Sequence, residues 1–181
     1  MNVVNAIIAA VPPAVPQVLG ILAVATFLLS YQQKRRGSII LLNVISRLLY
    51  ILQYVLLGAL SGAVLDILGA LASVLAAKKS APFFAKHGRA LILSVNAVIV
   101  VVGLLLYEGW LSLLPIAGVL LHTGAFWLDE EKKIRRLSLL GSPFWFVYNF
   151  ASCAYGSALG DLLTMLSILL AMARYRKDQK E

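Results

Sequence analysis

FLLSYQQKRRGSIILLNVISRLLYILQYVLLGALSGAVLD, from Phe27 to Asp66, contains the pattern that decides the fold. A basic cluster, Lys34 to Arg36, opens an apolar run. That run ends on a turn of small residues, Gly58 and Ala59, with no charge, and a second apolar run follows. Outward from this stretch the pattern recurs: every lysine and arginine except Arg47 lies in one of four clusters, Lys34 to Arg36, Lys78 to Arg89, Lys132 to Arg136 and Arg174 to Lys180. Lys and Arg near the end of a membrane span stay on the cytoplasmic side, so basic clusters at every second gap between apolar segments set a topology.

Composition agrees. The chain is 61% hydrophobic and 13% charged, with a mean hydropathy of +0.89, whereas roughly a quarter of a soluble domain is charged. The net charge of +8 is an orientation signal beside apolar runs, not a nucleic-acid footprint. Its expected neighbours are anionic lipid headgroups. The single cysteine, Cys153, excludes an intramolecular disulfide and a multi-thiolate metal site, and reads as a small apolar filler.

Seven apolar segments, 15–31, 38–57, 60–77, 90–107, 110–128, 137–154 and 157–173, read as helices. Each approaches the ~20 residues that cross a bilayer core, where only helices and closed barrels satisfy their own backbone, and no strand alternation is present. The basic clusters follow the first, third, fifth and seventh segments. The other gaps hold Gly58, then Glu108 and Gly109, then Tyr155 and Gly156. The N terminus is therefore expected outside and the C terminus in the cytoplasm. Residues 1–14 form an uncharged leader that lacks the basic start of a signal peptide, and Pro12, Pro13 and Pro16 interrupt it.

The segments group as three, one and three. LLGALSGAVLDIL (Leu56 to Leu68) and FASCAYGSALGDLL (Phe150 to Leu163) both give a small-residue turn and then an aspartate inside a helix, Asp66 and Asp161. A similar shift sets Tyr54 against Tyr148, and Tyr31 with its basic residues against Trp127 with Lys132 and Lys133. Three spans per unit is odd, so a fourth helix between the units makes the repeats parallel about the membrane normal. The expected fold is an all-α membrane protein: repeat 15–77, basic loop and linker helix 78–109, repeat 110–173 and cytoplasmic tail 174–181.

The string from Phe27 to Asp66, above all SYQQK and YVLLGALSGA, resembles the YgjV-type family of bacterial inner-membrane proteins over most of the chain from Gln17 onward. The three-one-three layout is similar to the SWEET, semiSWEET and PQ-loop superfamily. That second likeness implies sugar carriage by alternating access, whereas the first implies no particular substrate. The prolines differ from the superfamily pattern, since Pro16 and Pro115 stand towards the outer ends of their segments. The paired asparagines of the third helix of each triplet are missing, with Asp66 and Asp161, or Ser73 and Ser167, in that neighbourhood.

Ionisable groups inside spans cost about 2.5–3.5 kcal/mol each on insertion scales, so they face a bundle interior, pair, or line a wet cavity. Arg47, Asp66 and Asp161 are such groups. With helical spacing they bring in Tyr50 and Tyr54 on the second segment, Ser73 on the third, Trp145, Tyr148 and Asn149 on the sixth and Thr164 on the seventh, with His122 the one intramembrane histidine. These eleven are the candidate substrate-binding residues. Plainer roles stay open for them: helix packing for the glycine stripes and His122, an outer-interface location for the aspartates, and a structural Arg47–Asp66 ion pair. Tyr31, Trp110 and Trp127 read as interfacial anchors.

No H-E-x-x-H, P-loop, paired Cys/His set or G-x-S-x-G elbow is present, so neither an enzyme nor a cofactor is expected. The leading expectation is an inner-membrane transporter or facilitator of a small polar solute. The alternative is a non-transporting scaffold or accessory subunit. A homo-oligomer is compatible with both.

Overall fold

The computed structural model describes residues 10–31, 36–79, 81–128 and 130–178. Most of the leader, Lys34 and Arg35, and the last three residues lie outside the described residues. So do the side chains of Tyr31 and Asn43 and those from Arg174 on. The described residues form seven α-helices with no strand: α1 Ala14–Tyr31, α2 Arg36–Leu56, α3 Leu60–Ala77, α4 Pro82–Leu105, α5 Leu113–Trp127, α6 Glu131–Ala151 and α7 Tyr155–Asp178. A single 3-10 turn, Trp110–Ser112, precedes α5.

Several boundaries differ from those expected. Helix α4 starts at Pro82, not at residue 90, so the basic stretch from Lys86 to Arg89 is helical. Pro82 sits in the first turn after an extended Ala81 (φ −70°, ψ 146°), where its fixed φ suits a helix and its missing N–H costs nothing. Helix α6 begins at Glu131, not at 137, and takes Lys132 to Arg136 into its first turns, while α7 runs on to Asp178. The backbone ladder continues past the point where hydropathy falls, because its hydrogen bonds do not depend on side-chain polarity. Pro143 lies inside α6.

Apolar length is unevenly distributed. Among the described residues one helix is long and apolar enough by itself to cross a membrane, Lys86–Leu105 within α4, with a mean hydropathy of 2.2. The apolar stretches of the other helices are shorter, for example Ala14–Leu29, Val44–Leu56 and Tyr155–Leu170.

Packing joins α1 to α2, α2 to α3, α3 to α5, α5 to α6, α6 to α7 and α7 back to α1, so six helices close a ring; α4 leans on α3 and α5 from outside. One end of the ring carries the short turns α2–α3 and α6–α7, and the other carries the basic residues. At the basic end the Lys79 ammonium donates to the carbonyls of Leu128 (2.8 Å) and Trp127 (3.4 Å), so a cation caps the C-terminal end of α5.

The two short turns share one geometry. Leu57, Gly58 and Ala59 N–H groups bond back to Gln53, Val55 and Tyr54; Ser152, Cys153 and Ala154 bond back to Tyr148, Phe150 and Asn149. Each turn pivots on a left-handed residue, Gly58 at φ 72° and Cys153 at φ 57°. Such a conformation costs a residue with a Cβ about 1 kcal/mol or more. Nothing lies within 4 Å of a Cβ built on Gly58, so space does not decide there. Gly58→Ala is expected to lower unfolding stability by about 1 kcal/mol and Cys153→Gly to raise it by a similar amount. Detergent denaturation titrations check both, and equal effects of one sign would refute the shared turn.

Candidate functional site

Polar side chains from α2, α3, α6 and α7 meet inside the ring, and a separate pair, Thr123 donating to Asn96 at 3.1 Å, joins α5 to α4. Arg47 stands on α2 about two and a half turns before its end, and its Nη1 lies 2.9 Å from Asp66 Oδ1 on α3. Asp66 and Asp161 are each the seventh residue of their helices, roughly 9 Å below the turn end. Tyr54 donates its hydroxyl to Asn149 Oδ1 at 2.8 Å, and Asn149 Nδ2 donates to Asp161 Oδ2 at 2.7 Å. A continuous chain of hydrogen bonds thus crosses the ring from α2 through α6 to α7.

Tyr50, one turn before Tyr54, aims its hydroxyl at Gly160; a Cβ there would stand 2.6 Å from that oxygen. Asp66 on Arg47 and Asp161 on Asn149 stand at the same depth of their helices and together form the polar unit of the ring. Asp66 Oδ1 is held by Arg47, while Asp66 Oδ2 is buried with no hydrogen-bond partner among the described residues.

Above this unit, towards the short turns, Tyr148 and Gln53 reach across to the helices opposite. The Tyr148 hydroxyl accepts from Gly62 N–H at 2.9 Å and shares a proton with Ser61 Oγ at 2.9 Å. Ser157 Oγ donates to Gln53 Oε1 at 2.6 Å. The rings of Tyr54, Trp145 and Tyr148 lie with centroids 6.2–6.4 Å apart, all buried, within reach of favourable aromatic contact.

Of the eleven expected residues, Arg47 therefore meets Asp66, and Tyr54 meets Asn149 and through it Asp161, while Tyr50 lies against Gly160 and Trp145 and Tyr148 form the aromatic layer beside them. Ser73 and Thr164 do not join them through their hydroxyls. Each donates to its own helix four residues back, Ser73 to Gly69 O at 2.7 Å and Thr164 to Gly160 O at 2.8 Å. That is the usual back-bond of a hydroxyl residue in an apolar helix. His122 on α5 packs against α6, its Cε1 3.3 Å from the place a Cβ on Gly141 would take.

Gln53, Ser61 and Ser157 carry cross-helix hydrogen bonds and were not among the expected site residues. Their signal was the spacing of the two aspartates. That 95-residue offset maps Gln53 onto Tyr148 and Gly62 onto Ser157, which turns one cross-helix hydrogen bond into the other.

A family model described as Imp-YgjV, bacterial inner membrane protein, matches residues 14–179. No curated protein and no solved structure matches the chain.

Proposed function

Because the chain belongs to the Imp-YgjV family of bacterial inner membrane proteins, we propose that it is a multi-pass transporter or facilitator of a small polar solute. In this reading two three-helix repeats, α1–α3 and α5–α7, rock about the polar unit at their centre, with α4 as the linker. The N terminus and short turns face outside, and the basic end faces the cytoplasm. No bond is made or broken, so the chain is not an enzyme and takes no cofactor.

The observation that carries the proposal is the way the halves meet. Tyr54 and Asn149 bond each other and stand 95 residues apart, the separation of Asp66 and Asp161. The contacts around them exchange under the same offset: Ser157 on Gln53 becomes Gly62 on Tyr148. Ser46 on the carbonyl of Ala23 becomes Gly141 against the carbonyl of Gly118. A rotation axis between Tyr54 and Asn149 is the simplest account of that pattern, and the interface between repeats is where repeat-built carriers bind their solute. The layout is similar to that of the SWEET, semiSWEET and PQ-loop superfamily.

The scaffold alternative relies on small-residue stripes to bind other proteins. Gly62, Gly69, Gly156 and Gly160 instead already face Tyr148, Val119, Gly20 and Tyr50 within this chain, which favours the carrier.

The test is counterflow in liposomes containing the purified protein, against labelled sugars, nucleosides, vitamins and amines, with Asp161→Asn and Arg47→Gln alongside the wild type. Asp161→Asn is expected to slow uptake of the accepted solute at least about tenfold, the loss of one charge-assisted contact, while the denaturation midpoint stays near wild type. Uptake no faster than in protein-free liposomes for every solute class would sink the proposal.

A further inference from the structure

The loop between α4 and α5 builds a feature that the central unit does not use. Gly109 is at φ 151°, Ser112 N–H bonds to Gly109 O at 2.9 Å, and Glu108 N–H bonds to Ser112 Oγ at 3.2 Å, so the loop is tied to the head of α5. Beside it opens a cavity of ≈ 420 Å³ whose lining includes Glu108, Trp110, Ser61, Ser152 and, at its inner side, Tyr148. The volume falls in the range of small-molecule sites, about 300–1,000 Å³. Glu108 is exposed, and Trp110 exposes 65% of its surface at the rim.

From this cavity inwards acidic groups outnumber basic ones. No lysine or arginine occurs in the α2–α3, α4–α5 and α6–α7 connections. From the mouth inwards the carboxylates are Glu108, then Asp66 and Asp161, against the single guanidinium of Arg47. Tyr148 links the two levels. Its hydroxyl rests on Ser61 and Gly62, and Asp66 follows Gly62 by one helical turn on the same face. Low-dielectric walls focus such a field, and an indole face beside a carboxylate suits a substituted ammonium through cation–π attraction and charge together.

We infer that the cavity between the α4–α5 loop and Tyr148 is an outer binding site for an organic monocation, a substituted ammonium, which it supplies to the carboxylates below. The inference rests on the carrier reading and names its class of solute. Glu108 supplies the charge that selects the cation, Trp110 the face it stacks on, and the Tyr148 hydroxyl the floor that separates it from Asp66.

Equilibrium binding to the purified full chain in neutral detergent tests this with three probes of one shape: choline, its neutral carbon isostere dimethylbutanol, and the anion dimethylbutyrate. Choline is expected to bind best, more weakly at high salt, with the neutral and anionic probes each weaker by about fivefold or more. Glu108→Gln and Trp110→Leu, both at exposed positions that leave the ring intact, are each expected to weaken choline by about fivefold. Equal binding of the neutral probe, choline binding unchanged in Glu108→Gln, or no binding of any probe would overturn the inference. The counterflow panel separates this failure from that of the carrier reading, because uptake of a neutral or anionic solute would leave the carrier standing while removing its cation selectivity.

Discussion

Arg47→Met is expected to destabilise the protein by about 3 kcal/mol. The substitution leaves the length and apolar stem of the side chain nearly intact but removes the partner of Asp66 Oδ1 seen among the described residues. Asp66 Oδ2 already lacks a donor, so the carboxylate would stand buried with neither oxygen satisfied. Breaking a buried pair from one side costs about 3–5 kcal/mol, because the remaining charge is stranded. The lower end applies here because 34% of the Arg47 side chain and 17% of the Asp66 side chain are exposed. The double variant Arg47→Met with Asp66→Leu removes both charges and is expected to recover most of the loss, as apolar replacements of buried pairs do. Denaturation titrations of the four proteins close the cycle. A loss below about 1 kcal/mol for Arg47→Met would mean that the pair is wet and contributes no more than a surface ion pair.

The Arg47–Asp66 contact was legible in the sequence because a mid-span arginine must find an acid, and few acids share its depth. The turns were legible too: a 95-residue offset puts small residues at both, and both pivot on a left-handed residue, although one is Gly58 and the other Cys153. The starts of α4 and α6 were not, because hydropathy falls at 90 and 137 while the hydrogen-bonded ladder reaches back to Pro82 and Glu131. Among the described residues only α4 has an apolar stretch long enough to span by itself, and those of α1, α2, α3, α5 and α7 are shorter than the runs read from hydropathy. Ser73 and Thr164 were misleading for a different reason. Helical spacing gives the face of a hydroxyl but not its rotamer, and both hydroxyls turn back to a carbonyl of their own helix. The reach of Tyr148 to Ser61, and of Asn149 to Asp161, depends on how far the helices stand apart, which periodicity does not encode.

That separation is most sharply set where α1 meets α7, and Gly156→Ala is the change expected to disturb it most. A Cβ on Gly156 would lie 2.5 Å from both Cα and C of Gly20 and 2.9 Å from the Ile21 nitrogen. Carbon atoms rest about 3.5–4.0 Å apart, so the two backbones would have to part by roughly 1 Å, with no flexible side chain to give way. Glycine at such a contact is what lets helices in lipid gain their packing energy. The expected loss is about 3 kcal/mol, the upper part of the usual range for overpacking. Gly20→Ala provides the control, since it lies in the same seam and the three atoms nearest its added methyl belong to the end of the Gln53 side chain, at 2.5 Å from Nε2. That amide can swing aside, surrendering the hydrogen bond from Ser157 at a cost of about 1 kcal/mol. Alanine gains up to about 1 kcal/mol of helix propensity at Gly20, inside α1, and less at Gly156, the second residue of α7, so a difference beyond about 1 kcal/mol reports the backbone contact. Gly156→Ala should therefore unfold at clearly lower denaturant than Gly20→Ala; if the two coincide, α1 and α7 do not touch through their backbones and the six-helix ring is open at that seam.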